Sequence, residues 1–326
     1  MEHKNDTNPM DKQSGHMPGE GAPGTRAVQE TTGTAPGIRT GQETARHSRR
    51  MKRGEVRPGS AWALVTGAGS GIGRCYALRL AALGYRLVIV GNNAAPLEAV
   101  AGEIRRAAGA NASASFPEVR VMPMDLARVG AAQELHDRTA AEGIEIDVVI
   151  NNAGIFSFCD ILTTPAERIE RIILLHDLTV SQLCRLYAAD MVRRGVRGHI
   201  LNMSSYSLWM PFPGLALYSA SKAYMRSFSV AFAKEVRDRG IRVTAVCPAG
   251  VATDLYGLTP RWQRIGRRIG VLISADSCAR RGLRALWRGR RCIVPDWWNR
   301  AWIPLCKALP MWVLRPIRKF TMKFQA

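Results

Sequence analysis

From Ala61 onward, short apolar runs alternate with longer stretches in which apolar residues recur every three or four positions. The run AWALVTG, residues 61–67, is apolar up to a glycine-rich turn, the pattern of a buried strand. RCYALRLAALG, residues 74–84, has helical spacing and stops at Gly84, as helices often do. By the same reading, strands are predicted in YRLVIVG (85–91), EVRVMPMD (118–125), EIDVVINNAG (145–154), GHILNMSS (198–205) and IRVTAVCP (241–248). Helices are predicted over 95–109, 128–143, 165–195 and 216–240. Strands alternating with helices predict an α/β fold, a doubly wound parallel sheet covered on both faces.

Residues 1–57 break this pattern. They are rich in Gly, Pro, Thr, Arg and Glu and hold almost no large apolar residue. Burial there cannot offset ordering entropy, so a disordered tail is expected. A single domain is expected over 58–295, followed by a basic, Trp-rich extension over 296–326. The hydrophobic content of 47% suits a chain with a real core. Net charge is +20, and it is uneven: Arg261–Ala326 holds sixteen Lys and Arg against two Asp, net +14. Such an excess suits a polyanion, an anionic membrane surface or an acidic substrate. No recognition motif accompanies it, so no nucleic-acid partner is expected. The terminal WWNRAWIPLCKALPMWVLRPIRKFTMKF reads as a pocket lid, a packing surface or an interfacial membrane anchor. Pro304, Pro310 and Pro316 argue against one long helix there. Seven cysteines and no Cys-x-x-Cys argue against a disulfide framework or a metal site. They suit a reducing compartment. With no apolar signal core near the N-terminus and no spanning run, a cytoplasmic protein is expected, with peripheral membrane contact through its basic end as an option.

Two stretches carry candidate chemistry. TGAGSGIG, Thr66–Gly73, joins the first predicted strand to the first helix. Glycines at 67, 71 and 73 let the backbone turn tightly and approach a pyrophosphate at the helix N-terminus. YSASK places Tyr218 and Lys222 four residues apart, on one face of a predicted helix. A free phenol has a pKa near 10, too high for a neutral-pH base. A neighbouring ammonium favours the phenolate and lowers that value. Ser205 ends a strand thirteen residues earlier, where a hydroxyl can hold a substrate oxygen toward Tyr218.

Together TGAGSGIG, NNAG at 151–154, Ser205 and YSASK resemble the short-chain dehydrogenase/reductase superfamily, from about Trp62 to Thr253. The resemblance implies a Rossmann fold, an NAD(P)(H) cofactor and hydride transfer between that cofactor and a secondary alcohol or ketone. It implies catalytic roles for Ser205, Tyr218 and Lys222, chooses Ser205 over Ser204, and puts Lys222 on the nicotinamide ribose as well. Cofactor contacts are implied for Thr66, Gly67, Ser70, Gly71, Ile72 and Gly73 in the loop, and for Asp125 and Leu126 at adenine. Asn152, Ala153 and Gly154 are implied along the adenosine ribose, and Pro248, Val251 and Thr253 over the nicotinamide. Asp125 also reads as a helix cap. Family members commonly form homo-dimers or tetramers.

Three positions depart from the family pattern. Ala249 stands where a glycine is usual. Asn92 stands after the second strand, where a carboxylate would select NAD; its absence favours NADP(H), with Arg74 as a possible aid. His176 stands where the family usually carries a fourth catalytic residue, an asparagine holding a relay water. An imidazole in that relay predicts activity falling as pH drops through the ordinary histidine pKa of about 6.5. Residues beyond Thr253 offer apolar walls, so a hydrophobic substrate is expected, such as a steroid, acyl or lipid-like ketone. The other reading is an NAD(P)-binding sensor with little turnover.

Overall fold

A computed structural model describes residues 59–109, 118–210, 212–252 and 272–296, with isolated positions besides. The expected tail at 1–57 and most of the 296–326 extension lie outside the described residues. In chain order the elements begin β1 (Trp62–Thr66), α1 (Gly71–Ala82), β2 (Arg86–Gly91), α2 (Ala94–Gly109) and β3 (Val119–Pro123). Next come α3 (Ala131–Ala141), β4 (Ile146–Asn151), α4 (Ala166–Ile173), α5 (Val180–Arg193) and β5 (His199–Met203). α6 (Ala216–Glu235), β6 (Arg242–Val246), β7 (Gly250–Ala252), β8 (Leu272–Ser274), α7 (Ala275–Trp287) and β9 (Cys292–Ile293) complete the series.

Seven parallel strands form the main sheet in the order β3-β2-β1-β4-β5-β6-β9. Every residue of β1, β4 and β5 is buried. That is why these strands read as continuous apolar runs: helices cover both faces, so no side is left for water. On one face α3, α5 and α6 supply Leu135, Leu183, Tyr187, Met191 and Met225. On the other, α1, α2 and α7 supply Tyr76, Leu80, Leu97, Ile104, Leu283 and Leu286. The doubly wound α/β expectation is met. Among the described residues no helix is long and apolar enough to cross a membrane.

The boundaries differ in two informative places. The third helix starts at Ala131 rather than residue 128, because Gly130 takes a φ of 79° and holds the chain outside the helix. The stretch expected as one helix over 165–195 is interrupted by a π-helical turn, Leu174–Thr179. Such wide turns re-aim side chains and concentrate at functional sites.

The short strands β7 and β8 went unpredicted, as did α7 and β9; for the last two the reason is visible. Their stretch carries many arginines and an internal Gly282, which blur the apolar period. A helix start was nonetheless legible: Ser274 Oγ accepts the N–H of Ser277, and Asp276 sits in the first turn. Gly282 is there because α7 crosses α1 at contact distance. A Cβ on it would collide with the Tyr76 hydroxyl, and Tyr76 is fully buried. Gly282→Ala is therefore expected to lose about 1–3 kcal/mol of stability in urea unfolding through overpacking. Adding Tyr76→Phe, which removes the colliding oxygen, should recover part of that loss.

Candidate active site

The sheet reverses its winding direction between β1 and β4, and open α/β sheets bind ligands at the carboxyl ends of strands beside such a point. Here the two strand ends are locked together. Thr66 Oγ1 accepts the N–H groups of Asn152 and Ala153, each at 3.0 Å. The Asn152 side chain donates back to the carbonyls of Thr66 and Gly67, at 3.1 and 3.2 Å. Gly67 has a φ of +64°, and a Cβ on it would lie 2.8 Å from Ala153 Cα. A Cβ on Gly73 would run into the Gly67 carbonyl. The glycines let the loop lie flat against NNAG.

That loop ends at the start of α1, whose N-cap Ser70 makes no side-chain cap bond and whose first turn has no acidic residue. The first amides of α1 are thus left for an anion. A cavity of about 460 Å³ opens there and reaches the tyrosine and lysine of α6. It is lined by Gly67, Ser70, Gly71, Ile72, Asn92, Asp125, Leu126, Asn152, Ala153, Gly154, Ser205, Tyr218, Lys222, Pro248 and Val251, all expected from sequence. Gly67, Ser70, Gly71 and Ile72 at the start of α1 would hold the diphosphate of a dinucleotide, and the cavity runs on from them to Tyr218. Thr66, Gly73 and His176 do not line the cavity; they buttress it. Thr253 lies outside the described residues.

α6 is fastened to the sheet by polar groups buried from water. Asn151 Nδ2 donates to Asn202 Oδ1 at 2.8 Å, and Asn202 Nδ2 donates to Ser229 Oγ of α6 at 2.8 Å. Ser204 Oγ donates to the Lys222 carbonyl at 2.7 Å, so that hydroxyl is spent on structure. Ser205 Oγ accepts the Ser207 N–H at 3.1 Å, which fixes the side chain and keeps its own proton for donation. The Phe156 ring packs edge-on against Tyr218, centroids 5.2 Å apart. Lys222 Nζ lies 5.6 Å from the Tyr218 ring centre and donates to the Met203 carbonyl at 3.1 Å. Burial pushes the Lys222 pKa down to about 8, against an opposing pull from Asp177.

A family profile described as short chain dehydrogenase matches residues 61–264. The chain belongs to the short-chain dehydrogenase family. It is 35% identical over 217 residues to the probable oxidoreductase EphD of Mycobacterium tuberculosis, covering 65% of this chain and 35% of EphD. It is 36% identical over 210 residues to a very-long-chain 3-oxoacyl-CoA reductase of Anas platyrhynchos, covering 62% of this chain and 64% of that protein. The chain thus spans less than two thirds of the length of these relatives. A solved short-chain dehydrogenase from Sphingobium yanoikuyae, in complex with NADPH, superposes with a TM-score of 0.63 at 28% identity, covering 77% of this chain and 96% of that one.

Within this short-chain dehydrogenase, Asp125 and Arg74 each have partners in the protein. Asp125 Oδ1 accepts the Ala127 N–H at 2.9 Å, and its Oδ2 meets Arg171 at 3.0 Å. Burial works against its charge, but Ala127 and Arg171 outweigh that and hold the carboxyl below its usual range. Arg74 is held by Glu103 of α2 through bonds of 2.6 to 2.9 Å. Arg171 itself was not anticipated; it faces the cavity from α4, where a charged helix position looks like any solvated one.

His176 requires a correction. It is fully buried, and the Ile155 N–H donates to its Nε2 at 3.0 Å. Nδ1 therefore carries the proton and reaches Ser221 Oγ at 2.9 Å, and Ser221 donates to the Tyr218 carbonyl at 2.9 Å. Neither ring nitrogen is left for a relay water. Burial, aided by Lys222, pushes its pKa down to about 2, so the imidazole is neutral throughout the working range. The acid limb expected from this residue near pH 6.5 is withdrawn. Its titration instead appears in stability. The folded pKa lies below the unfolded one, so the contribution is complete above about pH 6.5 and is lost as pH falls. Denaturant unfolding between pH 7.5 and 5 should show His176→Asn losing less stability than the parent. The difference should approach about 1.4 kcal/mol per pH unit below pH 6. Parallel pH dependences would show that the imidazole is not held neutral.

Proposed function

We propose that this chain is an NAD(P)(H)-dependent oxidoreductase that interconverts a secondary alcohol and a ketone. The observation that carries the reading is the meeting of Ser205, Tyr218 and Lys222 on one cavity with the glycine loop. The bound nicotinamide supplies or accepts the hydride. In ketone reduction the Ser205 hydroxyl donates to the substrate oxygen and holds it beside Tyr218, whose phenol gives the proton as the alcohol forms. The buried Lys222 ammonium stabilises the phenolate left behind. In oxidation the proton moves the other way.

The substrate class is a hydrophobic ketone or alcohol. Ile155, Phe156, Leu175 and Met203 line the same cavity, and one relative carries the name very-long-chain 3-oxoacyl-CoA reductase. For the cofactor we favour NADP(H): Asn92 lines the cavity beyond β2, where no carboxylate stands to repel a 2′-phosphate.

Tyr218→Phe should bind NADPH normally and lose about 10²- to 10⁴-fold in turnover of a hydrophobic ketone. Cofactor binding by the parent without turnover of steroid, acyl or small ketones would favour a sensor instead. Fluorescence titration should show NADPH binding at least as tightly as NADH. Asn92→Asp should weaken NADPH about ten-fold or more through like-charge repulsion, while sparing NADH. A strong NADH preference in the parent would reject the cofactor assignment.

A further inference from the structure

Three turns meet at the carboxyl end of the sheet, after the neighbouring strands β5, β6 and β9. Four hydrogen bonds join them in a closed circuit. The Tyr206 N–H donates to the Pro248 carbonyl at 2.8 Å, and the Ala249 N–H donates to Asp296 Oδ2 at 3.4 Å. Asn299 Nδ2 donates to the same carboxylate oxygen at 3.5 Å, and the Tyr206 hydroxyl donates to the Asn299 carbonyl at 2.8 Å. The first two turns carry the candidate site: Tyr206 follows Ser205 in the chain, and Pro248 and Val251 line the cavity. The third turn carries no residue expected at the site.

Asp296 stands at the centre of this circuit and is 5% exposed. A carboxylate so buried has to be offset by donors and positive charge. Burial raises its pKa, and the Ala249 amide, Arg281 of α7 and Asn299 oppose that rise. Arg281 Nη1 lies 3.8 Å from Asp296 Oδ1 and also donates to the carbonyl of Pro295. The carboxylate is thus anchored to a packed helix on one side and grips a cavity-wall loop on the other. Its grip is on the backbone of Ala249, so it fixes the height of the loop whatever side chain stands there.

We propose that Asp296 is a positioning residue for hydride transfer, the centre of a clasp that fixes the Pro248–Val251 backbone against the Ser205 turn. This rests on the oxidoreductase reading. Ser205 holds the substrate oxygen, and Pro248 and Val251 belong to the wall of the same cavity, along which the cofactor would run. A reaction that needs two bound partners in line loses about 10²-fold for a misplacement of about 1 Å. Asp296 does not line the cavity. It acts through the Ala249 amide, and through Asn299 and Tyr206 it couples that wall to the serine. Loss of the clasp therefore slows the bound complex more than it weakens binding.

The test compares the full-length parent with Asp296→Ala, Asp296→Asn and Tyr206→Phe. Ketone reduction is measured per NADPH site, counted by titration, so that unfolded protein does not enter the rate. Asp296→Ala should lower kcat about ten- to a hundred-fold while the ketone KM changes by less than about three-fold. Asp296→Asn keeps one acceptor oxygen for the Ala249 amide and should recover most of that loss. A second readout, hydrogen exchange followed by mass spectrometry, needs no substrate. In Asp296→Ala the segment 245–251 should exchange about ten-fold faster, with β1 and β4 unchanged, and in Asp296→Asn it should exchange as in the parent. An alanine variant with the parent's kcat, or with the parent's exchange at 245–251, overturns the proposal. So does an asparagine variant as slow as the alanine one. Should Asp296→Ala not fold, Tyr206→Phe decides, because it opens the circuit at a single bond. It should lower kcat about three-fold or more and speed the same exchange, and a parent value in either overturns the proposal. A parent that reduces no ketone sinks the oxidoreductase reading alone, since the exchange still decides the clasp.

Discussion

The site depends on the lock between the ends of β1 and β4. Two backbone amides converge on the Thr66 hydroxyl, and the Asn152 amide returns two hydrogen bonds to the Thr66 and Gly67 carbonyls. All these groups lie at or near the sheet's switch point, where neighbouring strands diverge and the backbone would otherwise leave donors and acceptors unpaired. Satisfying them internally frees the α1 amides to face the cavity. The glycines follow from the same constraint, because any Cβ at 67 or 73 would hold the loop off NNAG.

A second constraint is the burial of a lysine. Lys222 is 4% exposed, and among the described residues its charge is offset by the Met203 carbonyl and the fields of Asp177 and Cys247. A buried cation so lightly paired has a depressed pKa and a strong influence on its neighbours. It helps keep His176 neutral and it opposes the protonation of Asp177. The neutral imidazole is then a rigid strut, joining the strand end after NNAG to the first turns of α6 through Ile155 and Ser221. The polar chain Asn151–Asn202–Ser229 adds a fastening deeper along the same helix. Tyr218 is thereby held in place by side chains that do not line the cavity.

Much of this was legible in the residues. The strands were visible because central strands of a doubly covered sheet must be apolar throughout. The glycine loop, NNAG, Ser205 and the Tyr218–Lys222 pair were visible because each needs a particular side chain, or none, at a particular offset. α7 and β9 were obscured by arginines that project from an otherwise packed helix and by Gly282, whose reason lies 206 residues away in Tyr76. Arg171 was equally hidden: local sequence does not distinguish a charge facing a cavity from one facing water.

By itself the sequence determined the winding of the sheet, the place of the phosphate loop and the one-turn spacing of phenol and ammonium, since all three follow from short-range periodicity. Tertiary structure alone decided what the polar side chains do. His176 read as a titrating relay member, but two long-range hydrogen bonds occupy its nitrogens and burial removes its charge. Thr66 read as a cofactor ligand, but its hydroxyl accepts the N–H groups of Asn152 and Ala153, just past β4. Arg74 read as an aid to phosphate binding, but Glu103 holds it. Hydrogen-bond capacity is finite, and which partner uses it depends on groups distant in sequence that only folding brings together.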